Sequence, residues 1–143
     1  MNIKRFTLPP ISSETPLVKI VLPPRMEIID PVEPRLTSIG DVEVVTVAVH
    51  DREVYLSARV MLERARKLGA PIDSREDMEN ILTRGLAVGC DYLVTGIKLH
   101  DLHGREDVLC LGRHDGRRRV RFRWVGTRFN GRHYQVLCYG EDK

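Results

Sequence analysis

Between two turn-forming dipeptides, Asp115-Gly116 and Asn130-Gly131, the chain reads Arg117-Arg118-Arg119-Val120-Arg121-Phe122-Arg123-Trp124. Alternating apolar and charged residues mark a β-strand, because successive side chains point to opposite faces. Asp-Gly and Asn-Gly supply the positive φ angles of two-residue type I′ turns. The segment therefore predicts the middle strand of an antiparallel meander over about residues 107–139. If both turns have two residues, His114 faces Arg117, Leu111 faces Val120 and Leu109 faces Phe122 across the first. Across the second, Phe129 faces Arg132, Trp124 faces Leu137 and Phe122 faces Tyr139. One face then carries Leu109, Leu111, Val120, Phe122, Trp124, Leu137 and Tyr139, and is expected to form the core beneath two helices. The other carries Arg117, Arg119, Arg121, Arg123, Val125 and Phe129, joined by His114, Tyr134 and Val136.

The rest of the chain supplies the covering elements. Residues 41–49 are rich in β-branched side chains and read as a buried strand. Asp51 is placed to cap a helix over 52–68, ended by Gly69 and Pro71, with Val54, Ala58, Met61, Leu62, Ala65 and Leu68 as its apolar stripe. Ser74 and Asp77 have capping-box spacing for a second helix near 75–89, striped by Met78, Ile81, Leu82 and Leu86. Residues 91–99 read as a strand and 100–105 as a loop. Residues 1–37 hold all but one of the eight prolines, interleaved with Val, Ile and Leu. Proline lacks a backbone donor, so this part is expected to be an extended arm with edge strands at most, docked on its own domain, another copy or a partner. The expected organisation is an arm, 1–37, and one α+β domain, 38–143.

The strand–helix–helix order of residues 42–90 is similar to a ribbon-helix-helix DNA-binding unit, with Ile81-Leu82-Thr83-Arg84-Gly85-Leu86 resembling its second helix. Such a unit reads the major groove with polar side chains from paired strands. Val44, Val45, Thr46, Val47 and Ala48 offer almost none, so the likeness stops at topology.

Charge is distributed unevenly although the formal net charge is only +3. Residues 103–133 carry nine Arg against three acids, whereas residues 14–53 carry eight acids against four bases. Such polarity favours an anionic partner at one end. Four arginines at alternate positions repel unless an anion neutralises them, and guanidinium groups bind phosphate in bidentate fashion and stack on bases. Arg117, Arg119, Arg121, Arg123 and Arg132, with Tyr134 and Phe129 for stacking, are the expected binding residues.

Other chemistries find little support. No P-loop, GxGxxG, GxSxG or HExxH pattern occurs. His100, Asp101 and His103 have a ligand-like spacing, with Cys110, His114 or His133 within sequence reach, but nothing fixes a fourth ligand, so no metal or cofactor is expected. Three cysteines without a CxxC pair fit a reducing, cytoplasmic setting. No apolar run is long enough to span a bilayer, and Met1–Phe6 lacks the apolar core of a signal peptide. The expectation is a small non-enzymatic regulator that meets nucleic acid or an acidic protein surface within a transcription or replication complex. The alternative is a structural assembly component, such as a viral or phage virion subunit laced together by its arm.

Overall fold

Two segments, Val42–Ala48 and Tyr134–Tyr139, hold consecutive apolar residues, and strands of that kind are stable only with both faces covered. They form the middle of the fold. The computed structural model describes residues 2–28, 32–36, 39–85, 91–100, 103–114 and 117–140, and only the backbone of residues 2, 91–98, 113, 114 and 117–119. In chain order the elements are β1 (Asn2–Leu8), β2 (Glu27–Ile28), β3 (Val42–Ala48), β4 (Tyr55–Ser57), α1 (Ala58–Arg66), α2 (Arg75–Arg84), β5 (Asp91–His100), β6 (Glu106–His114), β7 (Arg117–Trp124), β8 (Arg128–Asn130) and β9 (Tyr134–Tyr139). The fold is α+β. Its main sheet has the order β1-β3-β9-β5-β6-β7, with β2 beside the end of β5, while β4 and β8 form a separate two-stranded ribbon. All pairs are antiparallel except β5 with β9.

The first hairpin has the expected register: His114 pairs with Arg117, Leu111 with Val120 and Leu109 with Phe122. The Asp115-Gly116 turn itself lies outside the described residues. The second half of the expected meander is corrected. After Trp124 the chain turns, with the Thr127 N–H donating to the Trp124 carbonyl at 2.9 Å. Then β8 leaves to pair with β4, and β9 returns between β3 and β5. The physical reason lies in the side chains. Val136, Leu137, Cys138 and Tyr139 are buried and suit a central strand, whereas the alternating arginines suit an edge, where charge reaches water. Asn130-Gly131 is accordingly no two-residue hairpin. Asn130 Oδ1 accepts the His133 N–H at 3.0 Å, and Gly131 is required because an added Cβ would lie 2.5 Å from the His50 carbonyl oxygen.

The two helices cover opposite faces of the sheet, not one face as expected. On one side α2 packs with Leu8, Ile20, Val44, Leu99, Leu109, Leu111, Leu137 and Tyr139. On the other, α1 and the β4–β8 ribbon pack with Val45, Val47, Val108, Cys110, Val136 and Cys138. The face expected to carry the binding residues is therefore, over β6 and β9, a second core, with Val125 and Phe129 buried in it.

The first helix also starts later than its apolar stripe suggests. Tyr55 and Leu56 pair with Asn130 and Phe129, so Ser57, not Asp51, is the cap, accepting the Val60 N–H at 3.3 Å. Val54 and Leu68 are left exposed. The second helix begins as expected, with Ser74 Oγ accepting the Asp77 N–H, and ends at Gly85 in the left-handed conformation, φ 83°; Leu86 and Gly89 lie outside the described residues. Among the described residues no helix is long and apolar enough to cross a membrane. The ribbon-helix-helix likeness fails structurally as well, since β3 is flanked by β1 and β9 and buried within the sheet.

Candidate nucleic-acid interface

At the end of the main sheet, β7 pairs with β6 on one side, and among the described residues no strand pairs with its other side. Residues opposite each other in a ladder share a face. Arg123 lies opposite Val108 and Arg121 opposite Cys110, so both arginines project on the side covered by α1. They stand at the margin of that layer: Arg123 is exposed and Arg121 half-buried. Arg117 and Arg119 continue the alternation along the backbone, at about 6.6 Å per two residues; their side chains are outside the described set.

The remaining expected binding residues are not part of this row. Phe129 is buried in the second core, its ring centroid 4.3 Å from that of Tyr134, so its faces serve packing. Tyr134 lies on β9, separated from β7 by β5 and β6, and is half-buried against the same core. Arg132 sits in the β8–β9 turn, 3.5 Å from Glu53. The candidate surface therefore contracts from a broad sheet face to the β7 edge.

That edge gains a residue expected to lie in the core. Trp124 is 52% exposed. Alternation puts it on the opposite side of β7 from Arg123, at the strand's end. Its indole folds across Gly126, where an added Cβ would lie 2.5, 2.6 and 2.7 Å from Cη2, Cζ2 and Cζ3. Opposite Trp124 in the ladder stands the fully buried Asp107, which grips Arg105 through two bonds, Nε–Oδ1 at 2.9 Å and Nη2–Oδ2 at 3.1 Å. The Arg105 side chain is 49% exposed. Across the turn, the Arg59 N–H donates to the Val125 carbonyl at 3.0 Å, placing the start of α1 beside the end of β7. The sequence signal for Trp124 is the glycine two residues on, Gly126, whose lack of a side chain leaves room for the indole.

A second constellation surrounds α2. The Asp77 carboxylate accepts the N–H groups of Arg35 and Leu36 and the Tyr139 hydroxyl, which also reaches Asp73 Oδ1 at 2.9 Å. The Arg35 guanidinium lies 4.6 Å from the Tyr139 ring centroid. Burial, and then the carboxylates of Asp77 and Asp73, push the Tyr139 phenol well above its ordinary range. A cleft of about 330 Å³ opens beside Asp77, between Glu76 and Asn80 of α2 and Ile11, Ser12, Thr15 and Leu36. The polar groups here are engaged in holding chain segments together. Glu79 accepts the Ile20 N–H at 2.8 Å, Thr83 Oγ1 that of Val18 at 2.7 Å, and Asn80 donates to the Leu36 carbonyl at 3.0 Å. Arg84 donates to the carbonyls of Pro9 and Gly40 at 2.9 and 2.5 Å.

Of the residues with ligand-like spacing, His100 Nδ1 lies 3.4 Å from the Gly104 carbonyl, and Asp101 is outside the described residues. Among the described residues no group of three His, Cys, Asp or Glu side chains is placed to hold a metal ion. No protein-family model, curated protein or solved structure matches this chain.

Proposed function

We propose that this protein is a small non-enzymatic regulator that acts on nucleic acid or its machinery through the basic edge of its sheet. The observation that carries the reading is the β7 edge itself, where Arg121 and Arg123 stand in an alternating arginine row that ends at the exposed Trp124. Guanidinium groups spaced along an extended strand match an extended phosphate backbone better than a small anion. Regulation then consists of occupying or remodelling a site, with no bond made or broken.

An assembly role for the proline-rich segment has less to rest on. Its backbone groups at Pro9, Val18, Ile20, Arg35 and Leu36 are taken up by α2 of the same chain.

The test is the double reversal Arg121→Glu and Arg123→Glu, read by anisotropy of a labelled oligonucleotide. Both side chains sit at the margin of the α1 layer, so the fold is expected to persist, checked by circular dichroism. Binding by the unaltered protein is expected to weaken with salt, with a log K against log salt slope of about −2 to −3, and to be lost in the variant. Undiminished binding in the variant overturns the reading. Binding to an acidic protein surface with no affinity for nucleic acid moves the function from the nucleic acid to its machinery.

A further inference from the structure

We infer that the occupant of this edge is single-stranded nucleic acid, and that Trp124 is the platform on which one of its unpaired bases stacks. The inference rests on the nucleic-acid reading above and narrows it.

Three observations converge on Trp124. A tryptophan ring carries a large apolar surface that folding normally hides. Here half of it is exposed, at the end of an edge strand, where packing under the sheet was within reach. The ring is nevertheless not loose. It lies against the backbone at Gly126, so close that any side chain there would have to displace it. The ring is thus held against the turn while half of the residue's surface remains open to solvent. A base stacks on such a fixed, exposed ring at little entropic cost, and every base has a face to offer.

Arginines stand on both faces of the sheet at this end of β6 and β7. Arg121 and Arg123 lie along the same strand on its other side, so a polymer following the free edge passes between their row and the indole. On the indole's own side, Asp107 pins Arg105 by a bidentate bond, which fixes the guanidinium while its outer portion stays exposed. A positive groove interleaved with an aromatic ring is how proteins bind single strands without reading sequence. In a duplex each base face is already covered by its neighbours, so a lone indole has nothing to stack on unless a base is splayed out. The combination therefore selects single strands over duplex, with little preference for sequence.

Because the chain contains one tryptophan, its fluorescence reports this site alone. The full chain is titrated with a 15-nucleotide oligo-dT, a 15-nucleotide oligo-U and a duplex of equal length. Quenching by the single strands and several-fold weaker duplex binding are expected; comparing dT with U tells whether a 2′-hydroxyl adds to affinity. Anisotropy with labelled oligo-dT then compares variants. Trp124→Ala is expected to lower affinity about fivefold or more, and Trp124→Phe to restore most of the loss. Gly126→Ala offers an independent check, since its Cβ displaces only the far end of a side chain. It is expected to shift the emission of the free protein and weaken binding while leaving the unfolding midpoint nearly unchanged.

Arginine-dependent binding with unquenched emission and an unaffected Trp124→Ala variant overturns the stacking platform but leaves the basic edge standing. Equal affinity for duplex and single strand in the unaltered protein likewise overturns it. Absence of binding to every oligonucleotide overturns this inference and the nucleic-acid half of the reading beneath it, leaving an acidic protein surface as the partner to test.

Discussion

Thr46 sits in the middle of β3, 1% exposed, on the face that carries Val42 and Val44, with no hydrogen-bond partner for its hydroxyl among the described residues. A buried hydroxyl in that position costs stability, because it has left water and found nothing in exchange. Thr46→Val keeps the shape and removes the group. It is expected to stabilise the protein by about 1 kcal/mol and to raise the thermal midpoint by about 3 °C, measured by calorimetry. Tyr139 is the opposite case, a buried hydroxyl fully used. Burial, reinforced by Asp77 and Asp73, raises its phenol from the ordinary value of 10.0. A raised folded-state value means that the unfolded chain gives up this proton first as pH increases. The contribution is therefore complete below about pH 10 and lost progressively above it. Tyr139→Phe is expected to cost about 2 kcal/mol near neutral pH, because the one proton that the hydroxyl shares between two carboxylates disappears. The difference in urea midpoint between the two proteins is expected to narrow as pH rises beyond 10.

At the scale of elements, α2 acts as a clamp. A chain segment interrupted by prolines joins a ladder only in pieces, here β1 and β2, so the N–H and C=O groups between them need partners elsewhere. Asp77, Glu79, Asn80, Thr83 and Arg84 provide them, reaching Pro9, Val18, Ile20, Arg35, Leu36 and Gly40. Hydrogen exchange is expected to show slow amides at Ile20 and Leu36 although neither belongs to a strand or helix. Glu79→Ala is expected to speed exchange at Ile20 while leaving the centre of β3 protected. This clamp was not legible in the sequence. Amphipathic logic assigns the polar face of a helix to water, and only the fold shows that irregular backbone lies on it. The β6–β7 register was legible, because alternation and turn position independently placed Leu109 opposite Phe122. The place of β9 was not, since local pattern marks a strand as buried without naming its neighbours. Its run of consecutive apolar residues did carry a signal, one of a central strand. At the candidate site the arginine row was legible from alternation. The exposure of Trp124 was not, because a turn at Gly126 decides where the ring goes.

On the scale of the whole molecule, the sheet places its charge where an open sheet is most vulnerable. A terminal strand presents unpaired N–H and C=O groups that invite a second copy to extend the ladder, and charged side chains are one device that blocks this. Arginines on β7 therefore serve two purposes, keeping the edge from pairing and offering it to an anion. The two are separable by substitution. Reversal to glutamate at 121 and 123 changes the sign of the charge but keeps it, so the variant is expected to remain as dispersed as the parent while losing its anionic partner. Arg121→Val with Arg123→Val removes the charge and raises strand propensity on an edge whose other row already holds Val120 and Phe122. This variant is expected to lose the partner and also to self-associate, with a mass by light scattering that climbs with concentration and falls again in mild denaturant. Addition of saturating oligonucleotide to the unaltered protein is expected to leave its mass at one copy per bound strand of matching length. A valine variant that stays dispersed at millimolar concentration would show that the edge is guarded by its geometry, and would leave binding as the sole reason for charge at these two positions.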